Sequence, residues 1–263
     1  MRNTALITGA SSGIGLEYAR CLSARGYNLI IVSNEEKITA AGNMLAQEFN
    51  VDVRSLCMDL ATPTAAYELF DFCSGNSCGT ISVLINNAGI LSTKDVVETD
   101  PKRIETMMYL HVFTPTLLCR LFAEQMRSQN GNCYILNMSS MAAWMPVPYI
   151  VLYSATKMYL LNFSRALHKE LYNTNVSITV VCPGAVATPF YGFSENSKYM
   201  KIGLALGIIM PASALARKAL NKMFRRRKTY IPAFINYFFI ALMKAAPDFI
   251  IRAVHRKIKR VFL

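Results

Sequence analysis

Ala5-Leu6-Ile7-Thr8-Gly9-Ala10-Ser11-Ser12-Gly13-Ile14-Gly15 reads as a strand that breaks on a glycine, crosses a short loop and enters a helix. The apolar Ala5–Thr8 run fits a buried strand. Gly9 permits the sharp turn out of it, and Gly13 leaves no Cβ between the backbone and an approaching phosphate. Gly15 lets helix and strand pack closely. The helix that follows presents unpaired N–H groups and a partial positive charge, so the stretch is suited to a pyrophosphate. Its spacing is G-x-x-x-G-x-G, unlike the G-x-G-x-x-G of many dinucleotide loops.

Outward from this loop the same alternation repeats. Strand candidates are Ala5–Thr8, Asn28–Val32, Asp52–Cys57, Val83–Asn86, Cys133–Met138 and Ser177–Val181, and helix-length stretches at 14–25, 35–49, 63–74, 102–129 and 151–173 separate them. Such alternation predicts an α/β fold: a single doubly wound Rossmann domain, its parallel sheet of about seven strands covered by helices on both faces. The domain is expected over residues 1–230, with a lid at about 188–210 and a basic helical C-terminal extension at 231–263.

Composition narrows the class. The 263 residues are 53% hydrophobic and 17% charged, which excludes a disordered chain and leaves ample core for one large domain. No apolar run reaches the roughly 18 to 20 residues that span a bilayer. Met1-Arg2 leads almost at once into the first strand, so no signal peptide is expected and the protein is read as cytoplasmic. Seven scattered cysteines fit free thiols in a reducing compartment. Cys73 and Cys78 flank a short loop, but no second pair or histidine spacing makes a metal site there.

Tyr153-Ser154-Ala155-Thr156-Lys157 places a phenol and an ammonium at i and i+4, hence on one helix face. A fixed positive charge favours the phenolate and makes tyrosine a usable acid/base. Bringing a phenol from about 10 to near 7 requires roughly 4 kcal/mol.

With these motifs in this order, the chain resembles the short-chain dehydrogenase/reductases over roughly residues 3–190. Thr8 to Gly15 matches that family's cofactor loop. Asp59-Leu60 follows the third strand, Asn86-Asn87-Ala88-Gly89 ends the fourth, and Ser140 stands thirteen residues before Tyr153, the family's serine spacing. Pro183-Gly184 closes the sixth strand, with Val186 and Thr188 beyond it. The resemblance implies hydride exchange between a nicotinamide and a carbonyl/alcohol pair. Tyr153 would be the proton donor, Lys157 its electrostatic support and ribose contact, and Ser140 the holder of the substrate oxygen. Cofactor contacts would come from Thr8, Gly9, Ser11, Ser12, Gly13, Ile14, Gly15, Ser33, Asn34, Asp59, Leu60, Asn87, Ala88, Gly89, Pro183, Gly184, Val186 and Thr188, together with Tyr153 and Lys157.

Three features are this chain's own. The family's helix before strand five usually carries an asparagine; that position falls on His111, whose imidazole can donate and accept and so is a candidate proton relay. The second strand ends Ser33-Asn34 with no acid before Glu35, which favours NADP(H) while leaving NAD(H) open. The segments after Ser140 (Met141, Trp144, Tyr149) and after Gly184 (Phe190, Tyr191, Phe193, Tyr199, Met200) are bulky and apolar. They suggest an apolar ketone or alcohol, such as a fatty acyl, sphingoid, steroid-like or retinoid-like one. A catalytically impaired dinucleotide scaffold or redox sensor is the alternative, and the intact Ser140, Tyr153 and Lys157 argue against it.

Charge is segregated. Residues 1–200 hold 14 Lys/Arg and 15 Asp/Glu, whereas residues 201–263 hold 14 Lys/Arg against Asp248 alone. Arg225-Arg226-Arg227-Lys228 precedes an aromatic run, and Ile250, Val254, Ile258 and Val261 then alternate with Arg252, Arg256, Lys259 and Arg260. A basic amphipathic end suggests peripheral contact with an anionic membrane surface through residues 231–263. Packing on a neighbouring subunit is the competing use, since the resembled family forms homodimers and homotetramers. Nucleic acid is not expected, because long aliphatics are mixed among the bases and no reading motif is present.

Overall fold

A computed structural model describes residues 3–75, 79–144, 148–191, 202–204 and 208–245. Cys78, the tail stripe from Ile250 to Val261 and the lid residues Phe193, Tyr199 and Met200 lie outside the described residues.

Strand and helix alternate as expected. β1 (Thr4–Thr8), β2 (Asn28–Ser33), β3 (Val53–Cys57), β4 (Ile81–Asn86), β5 (Cys133–Met138) and β6 (Val176–Val181) are interleaved with α1 (Gly13–Ser23), α2 (Ile38–Phe49), α3 (Ala65–Gly75), α4 (Pro101–Met108), α5 (Thr114–Arg127) and α6 (Val151–Glu170). After β6 come the two-residue strands β7 (Val186–Ala187) and β8 (Met210–Pro211), which pair with each other. Then follow α7 (Ala212–Phe224), β9 (Thr229–Tyr230) and α8 (Phe234–Ala245).

The main sheet has seven strands in the order β3-β2-β1-β4-β5-β6-β9, every neighbour parallel. The order reverses between β1 and β4, and a crevice opens where the carboxyl ends of those strands diverge. Residues of the central strands are buried on both faces: Ala5, Ile7, Leu29 and Ile31 pack with α1, α2 and α7, while Leu6, Ile30, Val32 and Leu84 pack with α3 and α5. The two edge strands, β3 and β9, are the ones left partly exposed.

One long helix was expected over 102–129, and the structure breaks it. Tyr109–Phe113 forms a π-helical turn between α4 and α5. Pro115 explains the break, because it has no N–H to return to the His111 carbonyl and its ring crowds that carbonyl. The widened turn brings His111 into the core, where it is 1% exposed.

The basic run Arg225–Lys228 is placed by Arg226, whose guanidinium donates to Asn132 Oδ1 (3.0 Å) and the Thr174 carbonyl (2.8 Å), both just before the amino ends of β5 and β6. That run therefore begins at the end of the sheet opposite the crevice. Trp144 was expected in a substrate wall. Instead its ring lies under the Arg165 guanidinium at 5.4 Å and packs against Ala143, Leu161 and Val180.

Candidate active site

The helix carrying Tyr153 and Lys157 is fastened to the end of β5 by three buried contacts. Lys157 Nζ donates to the Met138 carbonyl at 2.9 Å, Ser139 Oγ donates to the Lys157 carbonyl at 2.7 Å, and Asn137 Nδ2 donates to Ser164 Oγ at 2.8 Å. Asn137 in turn accepts from Asn86 Nδ2 at 2.8 Å across the β4–β5 ladder. Tyr153 and Lys157 share a helix face, with Nζ 5.6 Å from the phenol ring centroid. Ser140 stands two residues past the end of β5, and the Ala142 N–H donates to its Oγ at 3.1 Å as the chain enters the short Met141–Trp144 turn. Ser140, Tyr153 and Lys157 line one cavity of about 500 Å³, which runs to the glycine loop.

Burial sets the charge state of the ammonium. Desolvation pushes the Lys157 group down to about 8. At neutral pH it is still largely protonated, a positive charge within the wall that holds the phenol.

The other end of the cavity is formed by Gly9, Ser11, Ser12, Gly13 and Ile14, with Ser33, Asn34, Asp59, Leu60, Asn87, Ala88 and Gly89 beside them. Pro183, Gly184, Val186 and Thr188 close its side. Thr8 and Gly15 do not line it; they brace it. Thr8 Oγ1 accepts from the Asn87 and Ala88 N–H groups at 3.0 and 3.1 Å, and a Cβ on Gly15 would stand 2.0 Å from the Gly9 carbonyl oxygen. Gly13 has φ +56°, and a Cβ there would meet Thr188 at 3.3 Å. These positions leave the backbone bare where α1 begins, and no acidic residue occupies its first turn. The shape and charge fit the pyrophosphate of a dinucleotide.

Sequence reasoning placed Glu35 beyond the end of the second strand and gave it no cofactor contact, yet it lines the cavity. Its carboxylate folds back to accept from Ser11 Oγ, itself bonded by Ser33 Oγ at 3.0 Å, and Lys37 pairs with it at 3.0 Å. These two bonds hold the Glu35 carboxyl below its usual range, the Ser11 bond first. Glu35 thus brings a carboxylate to the cavity wall from two residues beyond the end of β2. Arg103 and Thr106 of α4 also reach the cavity, from a helix with no motif to announce them.

His111 stands outside the large cavity. Its Nε2 accepts the Ile90 N–H at 3.0 Å, so the proton resides on Nδ1 and points to Thr156 Oγ1 at 3.0 Å. Thr156 Oγ1 then donates to the Tyr153 carbonyl at 3.0 Å. Burial, with Lys157 and Arg103 nearby, holds the imidazole well below its ordinary value and therefore neutral. A Cβ on Gly89 would lie 3.0 Å from Nε2, a tight approach, and 3.5 Å from Lys157 Nζ, an ordinary contact, so a side chain there would press on the imidazole.

Apolar groups gather at the Tyr153 end. Met107, Ala142 and Tyr153 pack with Ile90, Leu91, Ile150 and Leu152, and the Phe190 ring stands 6.2 Å from that of Tyr153.

A family model described as short chain dehydrogenase matches residues 3–198. A very-long-chain 3-oxoacyl-CoA reductase of Schizosaccharomyces pombe is 32% identical over 184 residues, covering 66% of this chain and 53% of that protein. The chain therefore spans about half the length of that curated relative. Among solved structures, a short-chain dehydrogenase from Sphingobium yanoikuyae in complex with NADPH is 28% identical with a TM-score of 0.77, over 93% of this chain and 96% of that one. A bulky-bulky ketone specific alcohol dehydrogenase from Comamonas testosteroni is 27% identical with a TM-score of 0.75, over 93% and 94% of the two chains.

Lys157 yields a stability prediction. Its folded value of about 8 lies below the unfolded value of about 10.4, so below pH 8 the folded state carries the whole cost of burying the charge, about 3 kcal/mol. That cost fades as pH rises from 8 to about 10.4. Lys157→Met loses about 1 kcal/mol with the Met138 bond. It should therefore stabilise the cofactor-free protein by about 2 kcal/mol at pH 7. Urea denaturation at pH 7 and pH 10 checks this, with the gain shrinking at the higher pH; a loss at pH 7 refutes it.

Proposed function

The chain belongs to the short-chain dehydrogenase family, and from that premise we propose that it reduces an apolar, bulky ketone to the alcohol with NAD(P)H, or runs the reverse oxidation. The observation that carries this reading is the meeting of Ser140, Tyr153 and Lys157 on the cavity whose far end is the glycine loop. Bound nicotinamide supplies or accepts the hydride. Ser140 Oγ, just past the end of β5, holds the substrate oxygen by a hydrogen bond that strengthens as charge develops there. The Tyr153 hydroxyl delivers the proton to that oxygen as the hydride reaches the carbon, which leaves the phenolate. Lys157 lowers the cost of that phenolate, and its bond to the Met138 carbonyl keeps the ammonium in place.

His111 is a positioning residue in this scheme. Both ring nitrogens are engaged by Ile90 and Thr156, and the Thr156 hydroxyl grips the Tyr153 carbonyl. The imidazole thus fixes the first turn of α6 against the loop after β4, instead of relaying protons to Lys157.

The apolar surround of Tyr153 and the ring of Phe190 support a substrate with a sizeable hydrocarbon part. Relatives named for 3-oxoacyl chains and bulky ketones agree with it. At the adenosine end, Glu35 opposes a 2′-phosphate while Lys37, Ser11 and Ser33 favour one. The pairing of Glu35 with Lys37 leaves that corner near neutrality, which suits use of both cofactors.

Tyr153→Phe should abolish turnover across a panel of long-chain, cyclic and short ketones with either cofactor, while cofactor Kd stays within a factor of two or so. Strong turnover of polar sugars alone by the wild type rejects the apolar-substrate reading. Glu35→Gln should improve the Kd of NADPH relative to NADH by about tenfold, the effect of roughly 1.4 kcal/mol; an unchanged ratio places Glu35 clear of the 2′ position. His111→Ala should cut kcat by about tenfold to a hundredfold, more than Tyr109→Phe, with the pH profile of kcat unmoved. A shifted profile assigns proton transfer to the imidazole instead.

A further inference from the structure

We propose that the outer face of α8 is a docking surface for an anionic lipid bilayer, which brings the cavity wall at Gly184 close to the membrane. The polarity of this helix is inverted. Its one amide, Asn236, is buried: it donates to the Pro232 carbonyl, and its side chain lies where a Cβ on Gly184 would meet it at 2.8 Å. Ile240 is buried beside it. On the opposite side Ile235, Phe238 and Leu242 recur at i, i+3 and i+7, and are 40%, 58% and 52% exposed. No Asp, Glu, Lys or Arg occurs between Thr229 and Met243. A surface helix that hides its amide and shows its large apolar side chains outward marks an interaction site.

Geometry and charge favour lipid as the occupant. The described residues of α8 extend about 18 Å at 1.5 Å per residue, and Pro247 disfavours a straight continuation toward the roughly 30 Å of a bilayer core, so the helix suits lying in the interface. No helix among the described residues is long and apolar enough to cross a membrane. The chain continuing directly from α8, residues 246–263, carries Arg252, Arg256, Lys257, Lys259 and Arg260 against Asp248, a complement to anionic headgroups.

The position of the helix gives docking a consequence. Asn236 abuts Gly184, which lines the cavity, and the turn that begins at Met141 just after Ser140. A bilayer on Phe238 and Leu242 would therefore stand one helix width, about 10 Å, from the cavity wall at Gly184, within reach of a hydrocarbon substrate passing from lipid to cleft. This consequence rests on the apolar-substrate reading; the docking itself does not.

The test is sedimentation of the full chain with sucrose-loaded vesicles of phosphatidylcholine alone and of phosphatidylcholine with phosphatidylglycerol at 7:3. The wild type should bind the mixed vesicles and release at high salt. The double substitution Phe238→Ser, Leu242→Ser should lower the bound fraction at least tenfold at limiting lipid, with cofactor Kd and turnover of a short water-soluble ketone unchanged. As a second measurement, Phe238→Trp should show blue-shifted emission on the mixed vesicles. Absence of wild-type binding, equal binding by the double variant, or a wild-type dimer that the double substitution splits into monomers each overturns the proposal. Vesicle binding is read without catalysis, so its failure is distinct from a failure of the proposed activity.

Discussion

The site depends on how α6 is held to the carboxyl end of β5. The Lys157 ammonium bonds the Met138 carbonyl, Ser139 bonds the Lys157 carbonyl, and Asn137 reaches Ser164 two turns farther along the helix. Three consecutive residues at the carboxyl end of β5, Asn137 and Met138 of the strand and Ser139 just beyond it, thus set the height and rotation of the helix that carries the phenol. Ser140 is next in the chain, so the serine and the tyrosine are positioned by the same clamp. A shift of α6 by even one ångström would carry Tyr153 and Lys157 together away from Ser140.

The clamp has an electrostatic cost that only function explains. A buried ammonium with a single carbonyl partner is unfavourable in the free protein, as the displacement of its proton affinity to about 8 records. The same burial weakens solvent screening, so its charge acts strongly on the neighbouring phenol. Behind it, His111 is kept neutral, so that no second cation intrudes on Lys157, and Gly89 is kept bare, so that no side chain presses on the imidazole.

Much of this was legible in the chain. Gly9, Gly13 and Gly15 announce the loop because each spacing answers a local steric demand, and the period of the strands gives a doubly wound sheet. Tyr153 and Lys157 share a face by helix geometry alone, and Ser140 is placed by its distance from them. Other residues escaped that reading. Glu35 was given no cofactor contact because it lies beyond the strand end, yet Ser11, 24 positions away, draws its carboxylate back. Trp144 was taken for a pocket wall, but Arg165 offers its ring a better contact on the far side. The π turn at Tyr109–Phe113 follows from Pro115, whose effect on helix width is not visible in hydrophobic spacing.

By itself, then, the sequence determined the order of elements, the bare phosphate loop and the serine–tyrosine–lysine set, because these rest on covalent spacing and on the fixed periods of helix and strand. The tertiary structure decided which way the ambiguous side chains turn. His111 faces Ile90 and Thr156, Glu35 faces the glycine loop, Arg226 reaches beneath the sheet, and α8 buries Asn236 while leaving Phe238 and Leu242 outside. Each of these outcomes is set by partners distant in the chain, and a hydrogen bond or a buried face has no preferred sequence separation that a pattern could reveal.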